Sequence, residues 1–158
     1  MKNIFYPLKF QPVLKQKIWG GEKLNLLLNK PSDKTDIGES WELSGVDGNI
    51  SIVSNGTFQG KSLIDILNLH GKEILGMKNH QRFGNKFPLL IKFIDAKRDL
   101  SVQLHPNDKL ARQRHDSFGK TEMWYVMQAD EDAKLIVGFN QNMDSKKYLQ
   151  HLEEKRLV

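Results

Sequence analysis

The run Phe87-Pro88-Leu89-Leu90-Ile91-Lys92-Phe93-Ile94, the turn Asp95-Ala96-Lys97-Arg98-Asp99 and the run Leu100-Ser101-Val102-Gln103-Leu104-His105 together decide the fold class. The first run is short, apolar and rich in β-formers, and the last alternates apolar and polar residues. Two similar runs follow, Thr121 to Met127 and Ala133 to Phe139, separated by the polar stretch Gln128 to Asp132. Four short strands joined by compact turns predict a mainly β chain with antiparallel pairing of the sandwich or barrel type.

Working outward, Ser40-Trp41-Glu42-Leu43-Ser44 and Ile50-Ser51-Ile52-Val53 read as two further short strands, with a turn at Asp47-Gly48-Asn49. Residues 31–38 are polar and turn-rich, so they read as a loop. Ser62 to Leu75 reads as a helix, with Ser62 as cap and Asp65 in the first turn. Leu63, Ile66 and Leu67 give it an apolar side, and Gly71 weakens its middle. Asn107 can cap a short helix reaching His115. Ser145 to Leu157 reads as the start of another helix, with Asp144 or Ser145 as cap. The sequence closes on Leu157-Val158 with no stop signal, and the expectation is a truncated domain.

The 158 residues suffice for one ordinary domain. At 39% hydrophobic and 27% charged, the composition is that of a soluble globular protein. The formal charge is +5, but the basic residues are interleaved with acidic ones and form no run longer than the pairs Lys97-Arg98 and Lys146-Lys147. Nucleic acid is therefore not an expected partner; the mild excess reads first as a solvated surface and secondarily as a long-range attraction for an anionic small substrate. The absence of cysteine excludes disulfides and thiolate metal sites. No run approaches the roughly 20 apolar residues of a membrane span, and the first residues lack a signal-peptide core. The expected location is the cytoplasm.

On a strand, Ser101, Gln103 and His105 would share one face while Leu100, Val102 and Leu104 share the other. His105 offers an imidazole nitrogen and Gln103 a carbonyl oxygen. Were the strand holding Glu122 to pair nearby, its carboxylate would complete an N/O donor set suited to zinc. By spacing alone, a Gln-x-His pair on a half-exposed strand is more often plain surface than a metal site. The histidines at 70, 80, 115 and 151 show no clustering and read as solvated. Lys92, inside an apolar run, either snorkels to an edge or lines a pocket for an anion. Trp19, beside Gly20-Gly21, is either core packing or a pocket wall.

Several motifs carry a resemblance. Ile18-Trp19-Gly20-Gly21, Gly38-Glu39-Ser40-Trp41-Glu42-Leu43-Ser44, Pro88 to Lys92 through Leu100 to Asp108, and Gly119-Lys120-Thr121-Glu122-Met123-Trp124-Tyr125 together resemble the type I mannose-6-phosphate isomerases in their shorter bacterial form. The resemblance implies that residues 1–158 are the N-terminal part of a cupin-like jelly-roll domain, with 142–158 opening a helical segment. It implies a zinc-dependent isomerase that interconverts mannose 6-phosphate and fructose 6-phosphate, with one zinc per chain. Gln103, His105 and Glu122 would be metal ligands, Lys120 catalytic, and Lys92, Ser101 and Trp19 substrate-binding. A fourth ligand, a histidine, and an arginine lie further on in the family and have no counterpart here. The segment around Lys120 departs from the longer family members but keeps the lysine and the glutamate. The chain alone is expected to show little or no turnover and to self-associate through unpaired strands. The alternative reading is a non-catalytic cupin-like module that binds a metal or a sugar phosphate.

Overall fold

The structure, a computed structural model, describes residues 5–156. It divides into two compact units, the first reaching Leu100 and the second beginning at Ser101.

The first unit is built on a three-stranded antiparallel sheet of order β1 (Val13–Gly21), β2 (Ile37–Ser44) and β3 (Leu90–Ile94). Lys15 of β1 lies opposite Glu39, and Trp41 of β2 lies opposite Lys92 of β3. Bulges interrupt the ladder after Lys15 and after Trp41. β2 is central, which is why Ile37 to Ser40 are all buried. The one-turn helix α1 (Lys23–Leu26) follows β1, and the buried Asp95 carboxylate accepts from the Lys23 N–H at 2.7 Å.

The loop at Asp47-Gly48-Asn49 turns as its sequence demands, with Gly48 at φ 75°. It is closed by two fully buried serines: Ser51 Oγ accepts from the Ser44 N–H at 2.8 Å and the Ser51 N–H donates to the Ser44 carbonyl at 2.9 Å. Buried hydroxyls cost stability unless bonded, and these are. Ile50 to Val53 do not form the expected strand. They make only isolated bridges, Ile52 with Ser62 and Val53 with Phe10.

Helix α2 (Leu63–Phe83) begins as read: Ser62 Oγ accepts from the Asp65 N–H, and the Asp65 side chain accepts from the Ser62 N–H, a closed capping box. Gly76, at φ 75°, breaks it one residue past the expected end at Leu75, and a further helical stretch runs on to Phe83. Leu63, Ile66 and Leu67 are fully buried, each worth roughly 1.5–3 kcal/mol of transfer energy. Ile66 packs with Val53 and Phe58 against Tyr6, Leu8, Phe10 and Ile74. His70 was expected to be solvated. It lies instead between the rings of Phe5 and Phe58, at centroid distances of 5.3 and 5.7 Å. His80 and His151 are also half-buried, and only His115 of the four is exposed as expected.

The second unit contains α3 (Asp108–His115) and α4 (Ser145–Glu153). Both caps follow the sequence: Asn107 accepts from the Leu110 N–H, and Asp144 from the Lys147 N–H. The segments 100–105, 121–127 and 133–139 are not strands. Among the described residues they have no ladder partner, and an extended run without one cannot become a sheet. Val102 and Leu104, expected on a core face, are 60% and 95% exposed. The expected antiparallel pairing is present in the sheet of the first unit, but the mainly β expectation is not met: among the described residues four α-helices accompany three strands, and helix outweighs strand.

Candidate functional site

The sequence-predicted residues fall in both units. In the second unit, His105 Nε2 lies 3.4 Å from Glu122 Oε2, and Lys120 Nζ lies 3.2 Å from Glu122 Oε1. No strand pairing holds them. Instead the Lys120 N–H donates to the Pro106 carbonyl at 3.3 Å, and the Gly119 N–H donates to the Asp108 carboxylate at 2.9 Å. Gly119 permits this approach because a Cβ there would lie 2.5 Å from the Asp108 nitrogen. The turn into α3, fixed by Pro106 and the Asn107 cap, thus carries His105 to Glu122.

Gln103 Nε2 donates to Ser101 Oγ at 2.9 Å. That bond occupies the nitrogen end of the amide and leaves its carbonyl oxygen as the remaining donor. Among the described residues, no cluster of three or more His, Cys, Asp or Glu could hold a metal ion. A third protein ligand would have to be an amide oxygen. Only the His105–Glu122 pair has a spacing that matches a metal site, since Gln103 is bonded to Ser101 instead. Two ligands about 2.05 Å from a tetrahedral ion lie roughly 3.4 Å apart, close to the His105–Glu122 separation.

In the first unit, Lys92 neither snorkels nor stands free. Its ammonium is 2.7 Å from Oε1 of Glu39, a residue that the sequence alone did not single out as functional. Glu39 Oε2 accepts from Trp41 Nε1 at 2.9 Å, with Lys17 Nζ 3.8 Å away. Glu39 is only 7% exposed. Burial raises its carboxyl pKa, but bonds from Lys92 and Trp41 and the charges of Lys92 and Lys17 outweigh this and hold it below its ordinary value. The signal that could have found it is a glutamate two residues before a tryptophan on the strand Ile37–Ser44. Trp19 reaches over Gly38, where an added Cβ would lie 2.5 Å from its ring. A cavity of about 200 Å³ lies beside α1, lined by Gly21, Glu22, Asn25 and Asp33 among others, and none of the predicted site residues borders it.

The second unit therefore sets an imidazole and a lysine on one carboxylate, and the first unit, by itself, fixes a lysine on a buried carboxylate. The model of the phosphomannose isomerase type I catalytic domain matches residues 7–150, and the chain belongs to that family. The mannose-6-phosphate isomerase ManA of Bacillus subtilis is 40% identical over 136 residues, 85% of this chain and 41% of that protein. A mannose-6-phosphate isomerase of Streptococcus mutans is 37% identical over 132 residues, covering 84% of this chain and 40% of its own length. The crystal structure of the mannose 6-phosphate isomerase from Bacillus subtilis superposes with a TM-score of 0.85 at 33% identity, covering 94% of this chain and 46% of that one. The chain thus spans less than half the length of these relatives. Among the described residues, no helix is long and apolar enough to cross a membrane.

Proposed function

We propose that this chain carries the metal- and substrate-binding residues of a mannose-6-phosphate isomerase of the cupin-like jelly-roll type, acting in the cytoplasm on mannose 6-phosphate and fructose 6-phosphate. The observation that carries the reading is the placement of His105 and Lys120 on the two oxygens of Glu122, at 3.4 and 3.2 Å. Family membership supports it.

In this reading Gln103, His105 and Glu122 hold one zinc ion. When bound, the ion supplies Lewis-acid stabilisation of negative charge on the sugar oxygens. The chain's own groups do the rest. Aldose–ketose isomerisation moves a proton between adjacent carbons. Lys120, beside Glu122, is placed to polarise the substrate or to carry that proton. Lys92 and Ser101 orient the sugar phosphate, and Trp19 forms an apolar wall. Self-association through the exposed segments 121–127 and 133–139 accompanies this reading.

The test is zinc titration of the purified chain, then binding of mannose 6-phosphate, then a coupled assay for fructose 6-phosphate. Stoichiometric zinc, sugar-phosphate binding and turnover support the isomerase. Binding without turnover is the expected result for this chain by itself and is shared by the non-catalytic module, so it is turnover that excludes that module. Neither zinc nor sugar-phosphate binding would overturn both.

A further inference from the structure

We propose that Trp41 is a positioning residue: its indole N–H, acting through the buried carboxylate of Glu39, fixes where the Lys92 ammonium points. This rests on the reading above only in that Lys92 is taken to meet an anionic substrate.

Trp41 and Lys92 are direct partners across β2 and β3, and Glu39 lies two residues before Trp41 on the same face. Lys92 Nζ holds Oε1 of Glu39 at 2.7 Å and Trp41 Nε1 holds Oε2 at 2.9 Å. A carboxylate gripped at one oxygen can still swing about its last bond; gripped at both, it cannot. Water offers little substitute, because the Glu39 side chain is only 9% exposed. The Trp41 ring is itself held: the Lys15 ammonium lies 5.0 Å from its centroid and is bonded to Asn49 Oδ1. Lysine has a long flexible stem, so a fixed ammonium requires a fixed acceptor. Trp41 supplies that constraint without touching Lys92's own bond.

The test uses the full chain with Trp41→Phe, which keeps an aromatic ring and removes the N–H. The first readout is the rate of reductive methylation at Lys92, followed by mass spectrometry, with exposed Lys109 as internal reference. The second is the pH midpoint of the Glu39 carboxyl by carbon NMR. The expected result is a roughly two- to tenfold faster modification of Lys92, the range that one net hydrogen bond commands, with Lys109 unchanged. The Glu39 midpoint rises toward its ordinary value. Unchanged Lys92 reactivity and an unchanged midpoint in a folded Trp41→Phe protein overturn the proposal. Should that variant fail to fold, benzothienylalanine in place of Trp41, which keeps the bicyclic ring and has sulfur where the N–H was, serves instead: faster Lys92 modification supports the relay, and an unchanged rate overturns it. Mannose 6-phosphate separates the two readings. Protection of Lys92 by the sugar phosphate in the native chain bears on the isomerase reading alone, and its absence leaves the positioning result intact.

Discussion

The Lys92 ammonium lies 2.7 Å from the Glu39 carboxylate, joining residues 53 positions apart across two strands of one sheet. Removing the charge by Glu39→Gln leaves a half-buried lysine without its counter-ion. The expected loss of stability is about 1–3 kcal/mol at pH 7, short of a fully buried pair because Lys92 keeps some water. The Glu39 carboxyl is depressed below its ordinary value of 4.5 in the folded chain, so its contribution is full above that value and disappears as pH falls through the folded one. Urea titrations at pH 7 and pH 3 check this: the gap between native and variant should narrow in acid. A gap of equal size at both pH values would remove the electrostatic explanation.

The capping box of α2 makes a second, independent prediction. Ser62→Ala deletes the acceptor for the Asp65 N–H and the hydroxyl bonded to the Asp65 carboxylate. A loss of about 1 kcal/mol is expected at neutral pH. Ser62 also holds the Asp65 carboxyl below its ordinary value, so this loss too shrinks in acid. Denaturant melts of the two proteins across pH, monitored by helical circular dichroism, provide the measurement.

For the candidate metal centre, His105→Ala and Glu122→Gln are each expected to weaken zinc binding by more than the roughly 10–100-fold typical of losing an outer partner. Gln103→Ala should have a smaller effect, since that amide is already bonded to Ser101. Competition titrations with a zinc-sensitive dye read the affinities directly. Equal affinity in the native, His105→Ala and Glu122→Gln proteins would move the metal elsewhere.

What was legible in the sequence was largely local. The three helix caps at Ser62, Asn107 and Asp144 act within three residues of their targets, and a short pattern suffices to find them. The juxtaposition of His105 and Glu122 was also foreseen, but for a different reason. A strand pair was expected, whereas the contact rests on the turn at Pro106 and the close approach of Gly119. The segments around Leu104, Tyr125 and Val137 were misread because alternation reports what a strand would bury, not whether a partner strand exists. Glu39 is not found from the sequence because its two cationic partners, Lys17 and Lys92, lie on other strands, and the one partner within reach of a local pattern is Trp41.

That difference between the units is measurable. Backbone amides of β2 and of α2 around Ile66 are expected to exchange with solvent only through near-global opening. Amides of 102–104, 123–127 and 135–137 should exchange almost as freely as an unfolded chain. Hydrogen exchange followed by peptide mass spectrometry distinguishes them, and strong protection over 123–127 would show that a sheet forms there after all.

Gly38 offers the most local test of how the first unit is assembled. Its hydrogen faces the Trp19 ring and the stem of Lys17, and a Cβ there would lie 2.5 Å from Trp19 Cζ3 and 2.7 Å from Lys17 Cβ. Neither neighbour can give way freely, since the Trp19 carbonyl is tied to the Lys97 N–H at 2.9 Å and the Lys17 N–H to the Asp36 carbonyl at 2.9 Å. Gly38→Ala should therefore cost about 1–3 kcal/mol by overpacking. The indole N–H resonance of Trp19 should move while that of Trp124, in the second unit, stays in place. Because Lys17 also stands 3.8 Å from Glu39, a smaller shift is expected at Trp41, whose indole shares that carboxylate. A variant with native stability and an unmoved Trp19 signal would mean that the ring does not cross β2 at Gly38, and the packing that places Trp19 beside the sheet would have to be redrawn.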